Sequence, residues 1–276
     1  VGFRRPEIRS EEGAMKYFLL GAFSSGFLVY GIALVYGAAG STNLATIFDR
    51  VRFGELTSVA LLLLGTGLIF VSLGFKVAAV PFHVWTPDVY EGAPSPVTAY
   101  MSVAAKVGGF AAMLRLLTIA LPSFVVGEVV VDPGQTLIVH TAWQDLVAVI
   151  AGLTMILGNF VALTQRDIKR MLAYSSIAHA GYILMAVAAA GSFAVTASES
   201  GGGLAISFRI AEEAMQGALI YLLAYAFTNV GAFSVAIALE RDDASGTEIA
   251  NFAGLGQTRP WLAGAMVIFM LSLTGI

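Results

Sequence analysis

Apolar residues run through this chain in long unbroken stretches, with polar and turn-forming residues gathered between them. A helix needs about 20 mostly apolar residues to cross a bilayer. Stretches of that kind cover 14–37, 57–80, 96–120, 137–163, 170–191, 210–239 and 260–276. They are separated by 37–43 (GAAGSTN), 131–134 (VDPG), 201–203 (GGG) and 240–243 (ERDD), among others. Strands of a membrane barrel would alternate in polarity over about ten residues, and these stretches do not. The pattern predicts an all-α polytopic membrane protein with seven transmembrane helices, forming a single membrane domain over 1–276.

One stretch cannot be a simple span. A continuous helix over 57–90 would be about 50 Å long, more than the hydrocarbon core holds. Pro81, Pro87, Pro94 and Pro96 fall in or just after it, so a break is expected near Pro81 and Pro87. Backbone freed by such a break must pack in protein or line a cavity, and a broken helix beside an ionisable residue is a feature of transporters.

Composition agrees with the pattern. Of 276 residues, 58% are hydrophobic and 12% charged, and the mean hydropathy is +0.82. A soluble domain carries about twice that charge, so an ordinary soluble enzyme, a disordered chain and a nucleic-acid-binding protein are excluded. A net charge of −3 offers phosphates no basic face. The lack of cysteine excludes disulfides, iron–sulfur clusters and thiolate metal sites. His83, His140 and His179 are too few and too scattered for a metal centre. No GxGxxG or GxxxxGK[ST] pattern occurs, so no nucleotide or redox cofactor site is expected in the chain. No signal-peptide pattern marks the start. The chain opens on Val1 and its last apolar run has no polar flank, so we expect an internal part of a longer polytopic protein.

Basic residues outside the spans set an orientation. Arg4, Arg5, Arg9, Arg166, Lys169, Arg170, Arg241 and Arg259 share the side of the N-terminus, against Arg50, Arg52 and Arg209 opposite. The excess places the N-terminal side in the cytoplasm.

Some charges lie too deep for that role. Lys106 stands about ten residues into its span, where an ionised lysine costs roughly 2.5–3.5 kcal/mol. Ser102, Ala104, Ala105, Gly108 and Gly109 surround it, a small-residue face suited to another helix. A proton-relay or ion site is the reading adopted; a structural ion pair is the alternative. Lys76 closes an apolar run where snorkelling is unremarkable, yet it borders the expected break, so function and packing stand level there. His179 is mid-span with Ser175, Ser176 and Tyr182 on its face, able to pass protons or to bond helices together. Tyr221, Tyr225 and Thr228 form a second stripe, read as packing hydrogen bonds. Lys16, Arg115 and the Lys169–Arg170 pair read as interfacial anchors.

Residues 74–106, GFKVAAVPFHVWTPDVYEGAPSPVTAYMSVAAK, resemble the proton-translocating membrane subunits of respiratory complex I (NADH–quinone oxidoreductase) and the related sodium/proton antiporters. PFHVWTPDVYEGAPSPV is similar to the subunit N branch of that family, and residues 15–25 (MKYFLLGAFSS), 158–165 (GNFVALTQ) and 168–177 (IKRMLAYSSI) extend the resemblance. The resemblance implies an inverted-repeat fold of about fourteen helices with one broken helix per repeat. This chain would supply the sixth helix to the start of the twelfth, with 1–121 ending the first repeat and 137–276 beginning the second. Lys76 would be the lysine of the first broken helix, Lys106 the connecting lysine, and His179 part of a central polar axis; His83, Asp88 and Tyr182 are secondary candidates. The glutamate partner of Lys76 would precede Val1, and the second broken-helix lysine would follow Ile276. The implied function is proton translocation by a lysine/histidine relay, as a subunit of a translocase enzyme driven by electron transfer elsewhere. NADH, FMN, iron–sulfur clusters and quinone would belong to partner subunits, and none to this chain. The implied partners are other complex I membrane subunits, neighbouring antiporter-like ones included, in a bacterial plasma membrane or an equivalent energy-transducing membrane. A cation/proton antiporter subunit without redox coupling and a structural membrane scaffold are the competing expectations.

Overall fold

The computed structural model describes residues 1–2, 7–121, 136–197, 204–240 and 246–275. Arg4, Arg5, the 131–134 and 201–203 turns, residues 241–243 and Ile276 lie outside the described residues. Among the described residues, six helices are long and apolar enough to span a membrane. They are α1 (Ile8–Ala39), α3 (Val59–Val77), α5 (Ser95–Leu114, continued by a wider turn over Arg115–Ala120), α6 (Gln144–Ala162), α7 (Ile168–Ala189) and α8 (Arg209–Leu239). Shorter helices are α2 (Leu44–Arg52), α4 (Thr86–Gly92), α9 (Leu255–Thr258) and α10 (Pro260–Thr274). The seventh expected span is α10, apolar throughout but 15 residues long.

The helical reading holds for the membrane body, with one addition. The first residues of the 137–163 stretch form strand β1 (Thr136–His140), and α6 starts only at Gln144. β1 pairs antiparallel with β2 (Ser192–Ala197), which pairs antiparallel with β3 (Leu204–Ser207). Val139, Phe193 and Val195 are buried against Phe208 in a small separate core. The sheet joins the start of α6 to the end of α7 and the start of α8. A run such as Thr-Leu-Ile-Val has no periodicity that separates strand from helix, so the apolar signal merged β1 with α6.

Helix ends follow local chemistry. Asn43 caps α2 by accepting from the Ala45 and Thr46 N–H groups, and Asp167 caps α7 by accepting from those of Lys169 and Arg170. The expected break separates α3 from α4. Ala78 takes a left-handed conformation, φ 62°, and the Ala79 N–H donates back to the Gly74 carbonyl at 2.9 Å. That closes α3 before Pro81, and Pro87 sits in the first turn of α4, where its missing N–H is harmless. The freed backbone groups find partners in protein. The Val80 N–H donates to Thr154 Oγ1 of α6 at 3.0 Å, and Trp85 Nε1–H donates to the Phe75 carbonyl at 3.0 Å. A train of rings from Tyr17 through Trp85 and Tyr90 to Phe233 fills the space below the break, with neighbouring centroids 5.1–6.3 Å apart.

Helices approach most closely where side chains are absent. A Cβ on Gly31 of α1 would stand 2.8 Å from the Gly65 carbonyl of α3, and a Cβ on Gly65 the same distance from the Gly31 carbonyl. Both backbones are in direct contact, as small-residue membrane interfaces allow. Gly65→Ala should therefore force α1 and α3 apart, at a cost of about 1–3 kcal/mol for overpacking. The check is a lower thermal unfolding temperature of the detergent-purified protein; an unchanged temperature contradicts the contact.

Candidate functional site

Lys106 lies mid-way along α5 and is 1% exposed. One turn later, Gly109 lets α5 press against the end of α3: a Cβ there would be 2.7 Å from Val77 Cγ1 and 3.3 Å from Lys76 Cβ. This brings the Val77 carbonyl, left without a helical partner by the break, to the lysine. Lys106 Nζ donates to the Val77 carbonyl at 2.9 Å and to the Ser176 carbonyl of α7 at 2.7 Å. No carboxylate forms an ion pair with it among the described residues. The structural ion-pair alternative therefore has no partner there. An amine held by neutral acceptors can hold or pass on a proton without an ion pair being broken.

Three residues four apart on α8 line this site. Tyr221 OH is 2.6 Å from His179 Nδ1, Tyr225 OH donates to Ser176 Oγ at 2.8 Å, and Asn229 Nδ2 donates to Ser102 Oγ at 2.6 Å. The Tyr225 ring is also 5.2 Å from the His179 ring. Lys106, Ser176, Tyr225, His179 and Tyr221 thus line one polar axis between α5, α7 and α8. In it, Lys106 and Tyr225 bond to Ser176, Tyr221 bonds to His179, and the two groups meet at the Tyr225–His179 ring contact. The tyrosines ranked as packing groups belong to it. Thr228, named with them, bonds back to its own helix carbonyls and does not. Asn229 went unnoticed, although its spacing of four from Tyr225 was the available signal.

The other candidates are placed differently. Tyr182 stands edge-on to His179 at 5.7 Å, while its hydroxyl accepts from Asn159 Nδ2 of α6. Lys76 is exposed at the end of α3, its Nζ 5.9 Å from the Phe75 ring centre, and it makes no hydrogen bond or ion pair with the described residues. Lys76 and Lys106 adjoin through Gly109 but are not linked by a hydrogen bond. His83 lies half-buried in the link between α3 and α4 with a buried Nδ1 lacking a partner among the described residues. Side-chain detail at His140 lies outside the described residues. No group of three or more metal-ligating side chains occurs among the described residues.

Asp88 belongs to a separate network that fastens α4. Arg170 Nη1 bridges Asp88 Oδ1 at 2.7 Å and Glu91 Oε2 at 2.8 Å, Lys16 Nζ binds Asp88 Oδ2, and Arg9 binds Glu91 at 2.9 Å. Lys169 is 2% exposed and donates to the Glu91 and Ala93 carbonyls. Lys16, Lys169 and Arg170 stand near helix ends as expected, and their charged ends bind Asp88, the Glu91 side chain and the Glu91 and Ala93 carbonyls.

The whole chain matches, over residues 1–201 and 198–276, the family model described as NADH:quinone oxidoreductase/Mrp antiporter, transmembrane. NADH-quinone oxidoreductase subunit N 1 of Herpetosiphon aurantiacus is 47% identical over 280 residues, covering 100% of this chain and 50% of that protein. Subunit N 2 of Roseiflexus castenholzii is 48% identical over 278 residues, again covering 100% of this chain and 50% of the relative. The chain spans about half the length of the curated relatives it matches. Among solved structures, a chain of respiratory complex I from Thermus thermophilus with bound aureothin is 35% identical at a TM-score of 0.68, covering 96% of this chain and 48% of that one.

The α4 network has a pH signature. Burial pushes the Asp88 carboxyl up, but hydrogen bonds from Lys16 and Arg170 outweigh it and hold Asp88 below its ordinary value of 3.8. A depressed carboxylate stabilises the fold fully above its unfolded value and loses that contribution as pH falls through its folded value. Thermal unfolding followed from neutral pH downward should therefore show stability lost in acid, below about pH 4. Asp88→Asn should be less stable at neutral pH and flatter in acid. An identical acid slope in the variant contradicts the assignment.

Proposed function

The chain belongs to the NADH:quinone oxidoreductase/Mrp antiporter transmembrane family, and on that premise we propose that it forms the central part of a proton-translocating subunit of NADH:quinone oxidoreductase. The observation that carries this reading is Lys106, buried in a membrane-spanning helix against the carbonyl that a helix break leaves free. Electron transfer from NADH to quinone takes place in partner subunits, where FMN and iron–sulfur clusters also reside, and biases the charge around the lysines. Lys76 passes a proton through water to Lys106. From there it moves along Ser176, Tyr225 and His179 toward the opposite side. Moving one charge against 100 mV costs about 2.3 kcal/mol, so the state of Lys106 must be coupled to the driving reaction and not merely to local packing.

Residues 1–121 end the first inverted repeat and 137–276 begin the second in this reading. The break between α3 and α4 supports the first half of that division. The N-terminal side faces the cytoplasm of a bacterial plasma membrane. Arg9, Lys169 and Arg170 cluster at the α4 end of the bundle in support of that orientation. The family description also names Mrp antiporters, but the relatives at 47% and 48% identity are named for NADH-quinone oxidoreductase, which favours the redox-coupled reading over free cation/proton exchange.

Removing the Lys106 amine leaves the buried Val77 carbonyl without its donor, which costs about 1–3 kcal/mol. Lys106→Met should therefore lower thermal stability by about 1–3 kcal/mol while the complex still assembles, and NADH-driven proton pumping by the assembled complex in sealed vesicles collapses. Normal pumping with impaired assembly would instead make the lysine a scaffold element.

A further inference from the structure

Asn229 is fully buried on α8, one turn beyond Tyr225 on the same helix face. Its Nδ2 donates to Ser102 Oγ, which itself donates to the Ala99 carbonyl at 2.7 Å. Because the Ser102 proton is already committed, Ser102 must accept from Asn229, and the amide is thereby fixed with Oδ1 turned away. That oxygen is buried and has no hydrogen-bond partner among the described residues. A buried amide oxygen is rarely left so, and a bound water is the usual remedy where the surroundings are polar. Here they are polar: Ser102 lies one turn before Lys106 on α5, and its carbonyl accepts from Tyr225 OH at 3.4 Å.

Direction along the membrane gives the position a meaning. α5 runs away from the N-terminal side and α8 runs toward it, so Ser102 and Asn229 both lie on the N-terminal side of Lys106. Tyr221, Tyr225 and Asn229 together span about 12 Å of α8. His179 lies at one end of that span, level with Tyr221, and Asn229 at the other, with the Lys106 carbonyl cradle between them.

We propose that Asn229 Oδ1 anchors a water molecule on the N-terminal side of Lys106, and that this water is part of the water path through which Lys106 receives its proton. Asn229 is a positioning residue: it holds the water, and Ser102 holds Asn229. The inference rests on the relay role of Lys106, and its test separates the two. In sealed vesicles of the intact complex, Asn229→Leu keeps the branched shape with two methyl groups in place of the amide and should lower NADH-driven proton uptake several-fold, with electron transfer to an artificial acceptor unchanged. Asn229→Ala leaves room for a second water and should retain most of the uptake. Equal losses in the two variants would make Asn229 a structural hydrogen bond and overturn the proposal, as would parental uptake by Asn229→Leu. Should Asn229→Leu not assemble, a density map of the parent complex that resolves water decides: a water within hydrogen-bond reach of Oδ1 supports the proposal, and a dry oxygen overturns it. If Lys106→Met pumps normally, the relay reading itself fails; if Lys106→Met is inactive while Asn229→Leu pumps, only the water site fails.

Discussion

A helix interrupted inside a membrane leaves backbone groups that no solvent can satisfy. Most of the functional architecture follows from how this chain satisfies them. Stopping α3 at Val77 frees one N–H and several carbonyls. Thr154 takes the Val80 N–H, the Trp85 indole takes the Phe75 carbonyl, and Lys106 takes the Val77 carbonyl. The last of these partners is ionisable. The break therefore does two things at once: it supplies a neutral acceptor for a deep lysine, and it makes that lysine part of the wall that closes the break. Gly109 is what permits the approach, since any Cβ there would collide with Val77.

The charged residues divide into two groups with different physics. Around α4, Asp88 and Glu91 are paired with Lys16, Arg170 and Arg9 and remain partly exposed. Pairs of that kind contribute modestly one by one, but as a network they fix the position of a seven-residue helix. Along the central axis, Lys106 has carbonyls and hydroxyls for company and no carboxylate among the described residues. Charge there is not neutralised by a partner, so its state stays open to influence from elsewhere. One network holds the break in shape; the other uses what the break exposes.

Much of this was legible in the residues. Long apolar runs located the spanning helices, and Pro81 with Pro87 located the interruption, because both signals rest on backbone chemistry that tertiary packing does not override. Depth along the run identified Lys106. Direction was less legible: Lys16, Lys169 and Arg170 were correctly near helix ends, yet sequence position says nothing of whether a side chain turns to lipid or to protein. β1 was absorbed into a helix because its three consecutive apolar residues, Leu137 to Val139, carry no period. On α8 the stripe was recognised, but Thr228 was taken for its third member where Asn229 is, since spacings of three and four are equally good on a helix and only the facing Ser102 decides between them. Lys76 drew its importance from family resemblance, and it stands exposed over the Phe75 ring without a hydrogen bond or ion pair among the described residues.

The central claim is that the Lys106 amine gains and loses a proton during turnover. Nitrogen NMR of the intact complex carrying isotopically labelled lysine observes it directly, with Lys106→Met assigning the resonance. The account predicts a Lys106 signal that alternates between charged ammonium and neutral amine when NADH-driven turnover is compared with rest. A signal fixed in one form under both conditions would contradict it.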